Sequence, residues 1–110
     1  MEINFLPSTK VLMNDAHAIS RVEHVIEDAF GPGRYWNMPD PIAGGEDFAS
    51  VVDLIPGAFV FMGACPDGAD PSKASTNHSN KAVFDDSILA DGAALLASLA
   101  FDALNEAAKS

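Results

Sequence analysis

The stretch Pro56-Gly57-Ala58-Phe59-Val60-Phe61-Met62-Gly63 decides how the fold is read. Pro56 and Gly57 close whatever precedes them. The run from Ala58 to Gly63 is continuously apolar, too short for a helix, and rich in aromatic and branched side chains. It predicts a central strand buried on both faces, and such a strand requires neighbours. Residues 2 to 6 (Glu2-Ile3-Asn4-Phe5-Leu6) alternate polar and apolar before Pro7, which predicts a short half-buried strand. The aromatic segment Arg34-Tyr35-Trp36-Asn37-Met38, framed by Gly31-Pro32-Gly33 and Pro39-Asp40-Pro41, predicts a further short strand.

Helical signals separate these strands. From Asp15 to Phe30, Ile19, Val22, Ile26 and Ala29 follow the three-and-four spacing of one helical face, with Asn14 or Asp15 as cap and Gly31 as stop. Gly44-Gly45 precede Glu46-Asp47, a flexible turn feeding a second, short helix that runs to about Leu54. The last helix is predicted over about 86 to 108. Asp85-Asp86 can cap it, and Leu89, Ala93, Leu96, Ala100, Ala103 and Leu104 form its apolar stripe. Small residues at Gly92, Ala93, Ala97 and Ala100 would let that helix pack closely on a sheet. The fold expected is therefore α/β, an incomplete mixed sheet flanked by helices.

Length and composition bound the function. At 110 residues, 48% hydrophobic and 20% charged, the chain has the size of one domain, for which burial of about two thirds of the unfolded surface is usual. Sixteen acidic residues against six basic give a formal charge of −10, a field that opposes phosphate and anionic lipid, so nucleic acid is not an expected partner. Cys65 is the single cysteine, which excludes an intrachain disulfide and a multi-cysteine zinc cage. Neither a signal-peptide pattern nor a run approaching about 20 apolar residues is evident, so the expected setting is cytoplasmic, with no membrane.

The polar stretch between Ala64 and Lys81 is long for a connection in a compact domain, and such loops tend to carry sites. His78 lies in it; taken from the residues alone it is a solvated loop histidine. His17 and His24 are seven apart near one helical face among Arg21, Glu23, Glu27 and Asp28, and read as exposed histidines rather than a metal pair. Cys65 has no histidine fixed near it and reads as a structural thiol.

Three stretches in order carry a family resemblance: Gly44-Gly45-Glu46-Asp47-Phe48-Ala49, then the Pro56–Gly63 run, then His78 followed by Phe84-Asp85-Asp86 and Gly92-Ala93-Ala94-Leu95-Leu96. Together they resemble the carboxy-terminal part of the dinuclear-metal amidohydrolases of the hippurate hydrolase and auxin-conjugate hydrolase type. The resemblance implies a zinc-peptidase-like catalytic domain with an inserted lid, two divalent ions (zinc or manganese), and cleavage of amide bonds in N-acyl amino acids or peptides. It implies that His78 is a metal ligand and that Gly44, Gly45 and Glu46 lie beside substrate. Residues 1–10 would be a remnant strand and the return from the lid, and 11–110 the catalytic-domain part.

A dinuclear hydrolytic site needs several protein ligands and a general base, and this sequence offers one matching ligand. The chain is therefore expected to be inactive alone, to bind no metal tightly, and to act with an amino-terminal complementary segment or as a homo-oligomer. The alternative is a non-enzymatic α/β domain for self-association or partner binding. An independent small metal-binding domain ranks behind both, because no loop of calcium-binding spacing is present.

Overall fold

The computed structural model describes residues 2–4 and 9–109. Three α-helices are present among them: α1 (Ala16–Phe30), α2 (Ala49–Val52) and α3 (Ile88–Ala107), with a single 3-10 turn at Pro71–Lys73. The chain divides into two units, Met1–Phe59 and Val60–Ser110.

No strand occurs among the described residues, and the expected mixed sheet is overturned. Phe5 and Leu6 of the expected first strand lie outside the described residues, while residues 2–4 carry no regular structure. Residues 34–38 and 58–63 are irregular or extended without a ladder. The physical reason is pairing: a strand exists only as a partner of another strand. Here the segment around Phe59 finds single groups instead. The Asn14 side-chain amide brackets Phe59, its Oδ1 accepting from the Phe59 N–H at 2.8 Å and its Nδ2 donating to the Phe59 carbonyl at 3.1 Å. Beside it the Asp15 N–H donates to the Gly57 carbonyl at 2.9 Å. A side-chain amide thus does for one residue what a neighbouring backbone does along a whole strand.

In the first unit, α1 forms as its sequence dictates. Asp15, extended at φ −68° and ψ 134°, accepts from the Ala18 N–H at 2.9 Å and caps the amino terminus. Gly31, at φ 88° and ψ 167°, stops the helix in a positive-φ conformation open to glycine, while its N–H donates to the Glu27 carbonyl. Val22 and Val25 are buried on the inner face, and Ala49 of α2 is 1% exposed. The Phe48 and Phe59 rings meet at 5.9 Å between centroids in a tilted pair. The Arg34 guanidinium sits 5.7 Å over the Phe30 ring. Burial, with Glu23 nearby, raises the Tyr35 phenol above its usual range.

In the second unit the Asp70 carboxylate organises the 3-10 turn: it accepts from the Ser72 hydroxyl at 2.7 Å and the Ser72 N–H at 3.0 Å, and meets the Lys73 ammonium at 2.9 Å. Those donors, the Ser72 hydroxyl first, hold Asp70 below the ordinary carboxylate range. Asp85 is lowered likewise by Ser87, whose N–H it receives at 2.9 Å. Asp85-Asp86 were expected to cap α3, and they sit two residues and one residue before Ser87, which occupies the cap without a side-chain bond.

One further expectation is corrected. The apolar stripe of α3 does not face a core: Leu89, Leu96 and Leu104 are 65–71% exposed, and no α3 residue is buried. The side turned inward is instead half-buried at Ile88, Asp91, Leu95, Ser98 and Asp102, the same period displaced round the helix. By length and composition alone α3 could also cross a membrane, with a mean hydropathy of 1.4.

Candidate functional site

The first unit holds an open cleft of about 370 Å³ lined by Thr9, Lys10, Gly45, Glu46, Asp47 and Ser50. Two of the three turn residues singled out from the sequence, Gly45 and Glu46, are therefore on its wall. A Cβ built on Gly45 would lie 3.3 Å from Thr9 Cγ2, tighter than ordinary contact, so glycine here lets the Thr9 segment approach. Gly44 has no such demand; a Cβ there would meet Ile42 Cγ2 at 3.8 Å. Glu46 is half-buried and its carboxylate accepts from the Phe48 N–H at 3.1 Å, closing the turn ahead of α2. The Lys10 ammonium pairs with Asp53. Cation, carboxylates and hydroxyls thus share one wet cleft, suited to polar or zwitterionic groups rather than to apolar ones.

His78 belongs to the second unit. It is exposed, inside a turn closed by the Ser79 N–H on the Thr76 carbonyl at 2.9 Å. His17 and His24 are exposed on α1, His24 with its Nε2 3.9 Å from Asp28, as expected for surface histidines beside acids. Cys65 is a half-buried free thiol. Among the described residues no group of three or more His, Cys, Asp or Glu side chains is placed to hold a metal ion.

Thr9, Lys10 and Ser50 were not legible as site residues. Thr9 and Lys10 stand far from Gly45 in the chain and carry no motif; only the tertiary approach at the glycine brings them in.

Turn, cleft, loop histidine and terminal helix now stand beside what known proteins share with the chain. The class they are compared with is that of the peptidases. The chain belongs to peptidase family M20/M25/M40, whose pattern matches residues 1–102. It is 31% identical over 62 residues to a probable hydrolase of Synechocystis sp., a match covering 56% of this chain and 16% of that protein. The chain thus matches about a sixth of that relative's length. No solved structure matches. Peptidases of the family are generally metal-dependent. The described residues do not fit a resident metal by themselves: His78 stands in an exposed turn with no second and third ligand gathered round it.

Proposed function

We propose that this chain is the carboxy-terminal part of the catalytic domain of a metal-dependent amidohydrolase that cleaves amide bonds of N-acyl amino acids or peptides, and that it is inactive alone. The observation that carries the reading is the family match over residues 1–102 in a chain that gathers no metal-holding cluster among its described residues. In the assembled enzyme His78 serves as one metal ligand, presented by an exposed turn that a further segment can approach. Gly44, Gly45 and Glu46 stand beside substrate, the latter two sharing the cleft wall with Thr9 and Lys10. The other ligands and the general base come from an amino-terminal complementary segment. A free thiol and a net charge of −10 support a reducing, cytoplasmic setting without nucleic acid or membrane as partner.

The test is calorimetry with zinc and with manganese, on the chain and on His78→Ala, joined to an assay for hydrolysis of an N-acyl amino acid. The chain alone is expected to give neither tight binding nor turnover. Mixed with the amino-terminal part of a family member it is expected to gain both, and His78→Ala to remove at least 100-fold of the activity, roughly the loss of a metal ligand or its support. Turnover by the isolated chain would overturn the claim of inactivity; full activity of the complemented His78→Ala would overturn the ligand assignment.

A second reading, a self-association domain without catalysis, is favoured by one observation: α3 leaves its broad apolar face exposed.

A further inference from the structure

We infer that Asp67-Gly68 is a self-modification site, at which the main chain isomerises from an aspartyl to an isoaspartyl linkage with water as the only co-reactant. The inference rests on a turn of the second unit and not on the hydrolase reading. The reaction asks of a structure a carboxyl group in reach of the next residue's backbone nitrogen, an N–H that no acceptor holds, and no side chain crowding that nitrogen. Aspartate followed by glycine meets the last condition by sequence, and the chain has two such pairs, Asp67-Gly68 and Asp91-Gly92. The fold separates them.

Asp67 and Gly68 are exposed in the middle of a turn closed by the Ala69 N–H on the Pro66 carbonyl at 3.0 Å. The Gly68 N–H donates to no other described residue. Gly68 has φ 77°, and nothing lies within 4 Å of where a Cβ would stand. Glycine is therefore demanded by the turn's conformation and not by packing, and ring closure meets no neighbour. Asp91-Gly92 is the reverse case. Both residues are half-buried in α3, the Gly92 N–H points along the axis at the carbonyl four residues back, and the end of the Met62 side chain lies against the glycine.

The Gly68 nitrogen attacks Cγ of Asp67 in its protonated carboxyl form, the new C–N bond closes a succinimide ring, and the carboxyl hydroxyl leaves as water with the amide proton. Water then opens the ring. Attack at the original main-chain carbonyl of Asp67 breaks its bond to the Gly68 nitrogen and leaves the chain running through Cβ and Cγ, whereas attack at Cγ restores aspartate. Mass, charge and oxidation state return to their starting values. The isoaspartyl form carries an extra methylene in the main chain, so the ring closed by the Ala69–Pro66 hydrogen bond gains an atom and the turn is lost. The change falls inside a loop whose base is fastened by the Asp85 N–H on the Ala64 carbonyl at 3.0 Å, and that loop also carries His78.

The experiment holds the whole chain at neutral pH in heavy-oxygen water for several weeks, with and without urea, followed by tryptic digestion in ordinary water and mass spectrometry. Each passage through the ring writes a heavy oxygen into the carboxyl group, and electron-transfer fragmentation separates isoaspartate from aspartate. The folded chain is expected to label Asp67 about tenfold faster than Asp91 or more, because Asp91 reacts only in molecules whose α3 has opened locally. In urea the two pairs are expected to label at equal rates. Gly68→Ala should slow the labelling of Asp67 severalfold, and Asp67→Glu, which would need a larger ring, should leave that position unlabelled. Equal labelling of Asp67 and Asp91 in the folded chain overturns the inference. So does labelling of Asp67 that Gly68→Ala leaves unchanged, or labelling of Asp67 in urea alone, since the turn would then protect the pair.

Discussion

Asn14 joins the segment before α1 to the segment that leads out of the first unit, through two hydrogen bonds to one residue's backbone. A side-chain amide is the one group that can offer a donor and an acceptor in the spacing a peptide presents. Asn14→Ala should therefore cost about 1–2 kcal/mol, two net hydrogen bonds discounted for their exposure to water. Asn14→Asp should cost more: it can still accept from the Phe59 N–H, but it sets a carboxylate oxygen against the Phe59 carbonyl. Urea unfolding followed by far-UV circular dichroism checks this, and equal stability of Asn14→Asp and wild type at neutral pH would show that the carbonyl contact contributes nothing. At this scale the sequence is legible where the physics is local. Asp15 and Gly31 announce the two ends of α1 because a cap acts within three residues. Asn14 looks like a cap from the same evidence, since nothing in its neighbours shows that Phe59, 45 positions away, will arrive beside it.

Among the elements, helices were legible and strands were not. Periodicity marks a helix without reference to anything outside it, so α1 and α3 lie within two residues of where the spacing predicts them. A six-residue apolar run marks only a segment that wants covering; whether it becomes a strand depends on a neighbour that the run itself cannot reveal. α3 shows a subtler limit. Both its sides are apolar enough to be read as the buried one, and the stripe through Leu89 and Leu96 proved to be the outer one. Its inner side is fixed instead at Gly92, where a Cβ would fall 2.9 Å from Met62 Cε and 3.2 Å from Met62 Sδ. The obstructing atoms are the far end of a flexible, half-exposed side chain that can rotate away. Gly92→Ala is thus expected to stabilise the chain, by up to about 1 kcal/mol, because removing a mid-helix glycine outweighs moving one methionine. A rise in thermal midpoint checks the sign. A fall instead would mean that Met62 is pinned, and the double variant Met62→Ala, Gly92→Ala should then recover the gain.

For the molecule as a whole, surface is the quantity that connects fold to function. The chain exposes 9109 Å², where a compact monomer of 11.5 kDa would expose about 5,800 Å². It leaves in water more than half of what the unfolded chain would, and Val22, Val25 and Ala49 are the buried apolar residues among those described. Composition could not foretell this, because 48% hydrophobic residues state how much can be buried and not whether the partners for burial are in the same chain. The same limit governs the candidate site: Gly45 and Glu46 were legible through a local turn, while the Thr9–Lys10 wall depends on tertiary approach. A thermodynamic consequence follows. The heat-capacity change of unfolding tracks apolar surface newly exposed, about 1.2–1.5 kcal/mol/K for a compact domain of 100 residues, and this chain should fall well below that, with a broad thermal transition. Scanning calorimetry of the isolated chain measures it. Addition of an amino-terminal complementary segment should then sharpen the transition and raise the heat-capacity change, since the surface now in water would be covered. A sharp transition of full size in the isolated chain would mean that it already buries what a complete domain buries, and would remove the physical ground for seeking a partner at all.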